Sequence, residues 1–266
     1  MIGLLKSEFY RIFKQKSTIV LFAFLTIVLV LVTINLKIFN QGHYNVFDAV
    51  KYSNKVFELP LNRLNMPIFI LGEVESIILF ILIPYMGISV VNSEIKREYL
   101  RMILIRGEEK YKVICSKVIS LFLFNGIMCL FVFVLSYIIS FLIYPSVSET
   151  KVFLINNSLS FGQSVVYFFK NLFIYYCVFC FVSSISTAAS LAMPNPISAM
   201  FATWGILIAG MFASKFLFYI IVSLRNFGFE TTAGVKSLSY LGIVIIAIFI
   251  ICACSCFIFQ KVDYKH

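Results

Sequence analysis

Charge is scarce in this chain of 266 residues: Asp, Glu, Lys and Arg together make up 13%, about half the share of an ordinary soluble domain. With 61% of the residues hydrophobic, a normal solvated surface is excluded, because one core could not hide that much apolar area. Histidine occurs twice, as His43 in a connecting segment and His266 at the last position. No helix therefore carries a histidine for a proton relay. No G-x-x-x-x-G-K-[ST] occurs, so the chain has no cradle for ATP phosphates. Leu159-Ser160-Phe161-Gly162-Gln163 is close to the L-S-G-G-Q signature of ABC ATPases and is rejected on the same ground. Acidic residues number 12 against 22 basic ones, for a net charge of +10. The basic residues stand in short segments between apolar runs, which orients helices in a membrane and leaves no patch for nucleic acid. Six of the seven cysteines (Cys129, Cys177, Cys180, Cys252, Cys254, Cys256) lie in apolar runs, and Cys115 falls in a basic connecting loop. Cys177 and Cys180 form a C-x-x-C, but FIYYCVFCFV offers no His or carboxylate, so both read as buried apolar thiols. No catalytic apparatus, cofactor or metal site is expected.

What fills the chain instead is a series of long apolar runs, and the mean hydropathy is +0.98. The expected fold is all-α and polytopic, a single transmembrane domain over 1–266. The spans read as 17–37, 68–91, 117–143, 171–192, 198–222 and 239–260, each long enough to cross about 30 Å of hydrocarbon. Lys215 interrupts the fifth, which could instead cross as 198–214 and continue as a re-entrant piece. Pro84 should kink the second, and Met193-Pro194-Asn195-Pro196 is a tight turn between the fourth and fifth. Ahead of the first span, Ile2, Leu5, Phe9, Ile12 and Phe13 recur at helical spacing against Ser7, Arg11 and Lys14. That pattern predicts an amphipathic helix lying in the interface. The following run is too long for a signal-peptide core and no A-x-A site follows, so this end is expected to be retained.

Lys and Arg concentrate in 1–16, 92–116 and 261–266, whereas the loops 38–67 and 144–170 hold few. The positive-inside rule then places both termini in the cytoplasm of a multi-pass plasma-membrane protein.

Four groups of residues are candidates for function. The segment 92–117 has helical character, with Glu94, Ile95, Tyr99, Met102 and Ile103 set among Lys96, Arg97 and Arg101. It is suited either to docking in a groove of a soluble partner or to resting on lipid headgroups. Glu73 and Glu75 lie near the outer mouth of the second span, where carboxylates often mark a pathway. Two apart on a helix, they cannot share a face. Ser183, Thr187 and Ser190 form a polar stripe in the fourth span, lining a vestibule or back-bonding to their own carbonyls. Gly205, Ala209 and Ala213 recur every four residues in the fifth, a candidate helix–helix interface.

The layout resembles the type-2 permease subunits of bacterial ABC exporters. It shares an amphipathic N-terminal helix, six spans, a cytoplasmic coupling segment after the second span, and a Phe-basic-Asp tail, here Phe259-Gln260-Lys261-Val262-Asp263. Glu94, Arg97, Leu100, Arg101 and Lys117 match the coupling segment, while Glu98-Tyr99 replaces the family's Gly-Thr. The opening MIGLLKSEFYRIFK is most similar to bacteriocin-immunity and antimicrobial-peptide export subunits of low-GC Gram-positive bacteria. The resemblance implies two permease protomers, identical or homologous, and two separate ATPase subunits that couple through Glu94, Arg97, Tyr99, Met102 and Ile103. The cargo would be a peptide, lipid or amphipathic antimicrobial compound, with Glu73, Glu75, Ser183 and Thr187 candidates for its path. Two readings from other classes stand beside it: a non-transporting immunity or scaffold protein, and an ion-coupled carrier.

The orientation has a direct check. Cysteines placed at Asn54 and Asn157 should label from outside the cell, while those at Glu108 and Tyr264 stay protected. Outside labelling at Glu108 would reverse the topology.

Overall fold

The computed structural model describes residues 2–38, 43–46, 57–95, 109–152, 154–155, 158–193, 195–234 and 238–261. Six of its helices are long and apolar enough to cross a membrane. The chain opens with α1 (Ile2–Lys14) and α2 (Lys16–Ile38). A short antiparallel ladder follows, β1 (His43–Val46) on β2 (Phe57–Pro60). The second span is α3 (Met66–Ile77) continued through a π turn (Ile78–Leu82) into α4 (Ile83–Ile95). Next come α5 (Lys110–Ile143), a minimal ladder of β3 (Glu149–Thr150) with β4 (Leu159–Ser160), α6 (Phe161–Ala192) and α7 (Pro196–Ala213). Two short helices, α8 (Lys215–Val222) and α9 (Leu224–Thr232), precede the last span, α10 (Ser239–Lys261).

The boundaries follow local chemistry. Before α3, Asn62 accepts at its side-chain oxygen from the backbone N–H groups of Leu64 and Asn65, and Asn65 returns the bond to the N–H of Asn62. Pro67 then sits in the first turn, where no backbone donor is missed. Ser160 and Gln163 form a reciprocal capping box that starts α6. The ATPase-like pentapeptide is thus a helix start. Tyr144 and Met193 end α5 and α6 in extended conformation, as residues before proline prefer.

α6 lies at the centre, packed by α4, α5, α7, α9 and α10. Its approach to α4 is close because Gly87 has no side chain: a Cβ there would stand 2.8 Å from the Cβ of Ser186. Small residues let helix backbones meet in this way where hydrophobic burial gives little drive. The segments beyond α2 and α5 are stitched together by side-chain hydrogen bonds. Arg63 donates to the Tyr144 carbonyl at 2.7 Å, Asn62 to the Thr150 hydroxyl at 2.8 Å, and Ser164 to the Leu64 carbonyl at 2.7 Å.

Three sequence expectations change, and one pair of alternatives is decided. Cys115 lies inside α5, its sulfur 3.9 Å from that of Cys256. The third helical run starts at Lys110 and not at 117, because Lys117 is an interior residue of that helix. Residues 161–170 are helix where a loop was expected, the capping box having set the start. The fifth span, read as 198–222 or as 198–214 with a further piece, breaks at Ser214 as in the second reading, that residue being extended at φ −141° and ψ 121°. Leu217 then folds back over Gly210, whose Cβ would be 3.1 Å from its Cδ1.

The amphipathic helix α1 is docked on the bundle as well as polar along one side. Ile12 is fully buried, and Phe13 meets Phe124 at 5.8 Å between ring centres. Glu8 is the anchor. Its carboxylate takes the Nζ of Lys117 at 3.1 Å and the Nη2 of Arg11 at 2.5 Å, with Lys117 fully buried and Glu8 3% exposed. Removing one partner of a buried pair strands the other charge. Glu8→Ala is therefore expected to destabilise the chain by about 3–5 kcal/mol in thermal unfolding in detergent. Adding Lys117→Met should return most of that loss. Equal losses in the single and double variants would mean that the pair is not the anchor.

Candidate functional site

Glu73 and Glu75 take different roles, as their spacing on α3 requires. Glu75 is buried at 7% exposure, within hydrogen-bonding reach of the Tyr175 hydroxyl on α6 and the Arg225 backbone N–H in α9. Arg225 belongs to the first turn of α9, where N–H groups lack intrahelical acceptors. Ser223 makes no side-chain bond to that turn. A carboxylate from another helix thus meets the positive end of α9, where it is electrostatically favoured. Glu73 is 38% exposed and pairs with the Arg225 guanidinium at 2.8 Å. The arginine reaches it by crossing Gly72, where a Cβ would stand 2.7 Å from its Cδ.

α9 is seated by a second notch. A Cβ at Gly228 would lie 2.2 Å from the Asn171 side-chain oxygen, so the α9 backbone presses directly on α6. Phe229 meets Phe69 edge-on at 6.0 Å, and Glu230 is buried at 2% exposure. Arg225, Tyr175, Asn171, Gly228 and Glu230 were not among the sequence candidates. The signal of Arg225, Gly228 and Glu230 was faint, two charges and a glycine in a nine-residue stretch assigned to no element, while Asn171 and Tyr175 lay within the expected fourth span.

The second feature is a groove of about 500 Å³ between α4 and the first half of α7. Tyr85, Ile88, Asn92, Met200, Phe201 and Trp204 line it. Asn92 is 1% exposed, and neither its amide oxygen nor its nitrogen has a hydrogen-bond partner among the described residues. At the far end, the Trp204 indole N–H donates to the Phe80 carbonyl at 2.8 Å. That carbonyl is the one Pro84 cannot bond, four residues on and without an N–H. A π turn at Ile78–Leu82 precedes Pro84, where a kink was expected, and a neighbouring helix answers the freed carbonyl.

The remaining candidates are placed as follows. Ser183 and Thr187 are 1% exposed. Ser183 donates to the Cys180 carbonyl and Thr187 to the Ser183 carbonyl, while Asn125 donates to the Ser183 hydroxyl at 3.2 Å. They face neighbouring helices and line none of the described grooves. Gly205, Ala209 and Ala213 lie on the exposed side of α7, with nothing within 4 Å of a Cβ built on Gly205. The stripe is not packed inside this protomer. Arg97, Tyr99, Met102 and Ile103 lie outside the described residues, as does the side chain of Glu94 at the end of α4. Just before α5, Glu109 is held below the usual carboxylate range by hydrogen bonds from Tyr111 and Lys112.

The chain belongs to the family described as protein of unknown function (DUF2705), whose model matches residues 69–265. The match begins inside α3 and takes in both the Glu75–Arg225 cluster and the α4–α7 groove. No curated protein and no solved structure matches the chain.

The Trp204 bond invites a double-mutant cycle. Trp204→Phe keeps an aromatic ring but strands the Phe80 carbonyl, at an expected cost of about 0.5–1.5 kcal/mol. With Pro84→Ala the backbone N–H is restored, so the same Trp204→Phe change should then be close to neutral. An identical cost in both backgrounds would show that the indole does not serve this carbonyl.

Proposed function

We propose that this DUF2705 chain is the membrane-spanning permease subunit of an ABC exporter. It would move a peptide, lipid or amphipathic antimicrobial compound out of the bacterial cell or membrane, with ATP hydrolysed by separate subunits. The observation that carries the reading is the α4–α7 groove. It is an apolar cleft with an unpartnered amide at Asn92, beside the least buried of the six spans. Such a cleft, with few polar groups among apolar walls, is the usual form of a ligand site. Next to it, the bare Gly205, Ala209 and Ala213 stripe leaves α7 able to take a second protomer closely. A path between two protomers would then run along this face. In this reading both termini are cytoplasmic, and residues 94–106 receive the push of the ATPase.

One observation favours an ion-coupled carrier instead. Glu75 and Glu230 are buried carboxylates on α3 and α9, with Arg225 close to the first, and intramembrane charge often marks an ion path. The helix-capping geometry of Glu75 already accounts for its burial, so the permease reading is preferred.

Purification from the native membrane separates these readings. The chain is expected to bring an ATPase subunit with it, whereas a carrier or a scaffold would come without one. Tyr99→Ala combined with Met102→Ala should insert normally yet uncouple ATP hydrolysis from transport, because buried apolar anchors dominate docking energies. Transport at the native rate by that double variant would overturn the coupling assignment.

A further inference from the structure

All seven cysteines are free thiols, and their surroundings differ. Cys129, Cys177 and Cys180 are buried, and Cys254 is exposed. Cys252 stands with its sulfur 3.7 Å from the Ser184 hydroxyl. Cys115 on α5 and Cys256 on α10 are both half-buried, and their sulfurs lie 3.9 Å apart although 141 residues separate them in sequence. The juxtaposition follows from the register of the two helices. Lys110 donates from its ammonium to the Gln260 carbonyl at 3.3 Å. The thiol pair comes five residues later on α5 and four earlier on α10, so the helices run antiparallel with two contacts about one turn apart. Beside the thiols, Phe259 is fully buried in one cluster with Val113, Ile114 and Val118, and Cys256 packs against it. Close packing leaves these backbones little room to separate.

We propose that Cys115 and Cys256 form a reversible disulfide, a staple between α5 and α10 that hydrogen peroxide closes and a thiol reductant opens. The sulfurs need to approach to about 2.05 Å, a movement of ~1.9 Å that rotation about the two Cα–Cβ bonds can supply. One thiol, as its thiolate, attacks the peroxide: an S–O bond forms, the O–O bond breaks, and the departing hydroxide takes up the proton as water. The second thiol then attacks this sulfenic acid, so that the S–S bond forms, the S–O bond breaks, and a second water leaves. Two thiols and one hydrogen peroxide thus give one disulfide and two waters, the sulfurs losing the two electrons that the peroxide gains. A thiol reductant such as glutathione reverses this by exchange, two molecules giving up their hydrogens and leaving as their own disulfide. The other cysteines are less well placed. The three buried ones are shielded from a dissolved oxidant, and the Cys252 thiol is turned to Ser184. On the proposed orientation these helix ends meet the cytoplasm, where thiols are kept reduced and a disulfide of this kind is transient. The proposal rests on the fold and is independent of the permease assignment.

The test treats the purified full chain in detergent with dilute hydrogen peroxide, alkylates the remaining thiols, and maps the digested peptides by mass spectrometry. The wild type should give a peptide pair joined at Cys115 and Cys256, two hydrogens lighter than the reduced peptides together and lost on adding dithiothreitol. The oxidised chain should also unfold at a higher temperature than the reduced one, since a cross-link restricts the unfolded state. Cys256→Ser should lose both the joined peptides and the temperature shift, whereas Cys254→Ser should keep both. In a chain first unfolded in sodium dodecyl sulfate and urea, the preference for this pair should vanish, because only the fold brings the two together. Full alkylation of Cys115 and Cys256 after peroxide, or joined peptides formed as readily by the unfolded chain, would overturn the proposal. An unshifted unfolding temperature in the joined chain would overturn it equally. None of these results bears on whether an ATPase accompanies the chain, so failure here and failure of the permease reading are distinguishable.

Discussion

Hydrocarbon offers no hydrogen-bond partner, so each polar group that this chain carries into the bundle must be answered by another part of the chain. Much of the tertiary structure follows from that constraint. The carbonyl that Pro84 leaves open is closed by the Trp204 indole, which ties α7 to the second span at 2.8 Å. The Arg225 N–H at the start of α9 is met by Glu75 from α3. The ammonium of Lys117 is met by Glu8, which brings α1 onto α5 at 3.1 Å. In each case a local defect in one helix becomes the reason for a contact with another. The rule has exceptions among the described residues, Asn92, Ser136 and Ser140 among them, whose buried side-chain polar atoms have no hydrogen-bond partner there.

Packing supplies the second half of the account. Between spans, hydrophobic burial gives little drive, since lipid is as apolar as leucine. What brings the helices together is the fit of small residues: Gly87 against Ser186, Gly228 against Asn171, and Gly72 under Arg225. Ser183, Ser184, Ser186 and Thr187 of α6 act in the same way. Their hydroxyls return to their own carbonyls, leaving slim side chains that let neighbours approach. The result is uneven. α3, α4 and α6 are enclosed, while α7 is largely bare on one side.

The sequence showed some of this clearly. Composition and run length are enough to find six apolar helices, because a span must be about 20 residues long and carry few charges. The same rule misled at single lysines. Lys117 was taken as the edge of a span, yet it lies inside α5 because a carboxylate from the other end of the sequence neutralises it. Lys215, in contrast, does mark a break: no carboxylate pairs with it among the described residues, and the chain turns at Ser214. The Ser160–Gln163 pair carried a readable helix start. It was weighed only as a nucleotide motif.

Glu73 and Glu75 show where the line falls. That at most one of them could face the bundle followed from helical geometry alone. Which one, and why, depended on α9, a short helix with a faint pattern of its own, and on where its N-terminus came to rest. In the same way, Pro84 by itself announced a disturbed helix, but only the approach of α7 decided that an indole would satisfy the open carbonyl. Periodicity and composition act within one segment and are written along it. The partners of buried charges, freed carbonyls and unmatched amides come from segments far away in sequence, and only the folded arrangement brings them within 3 Å or so.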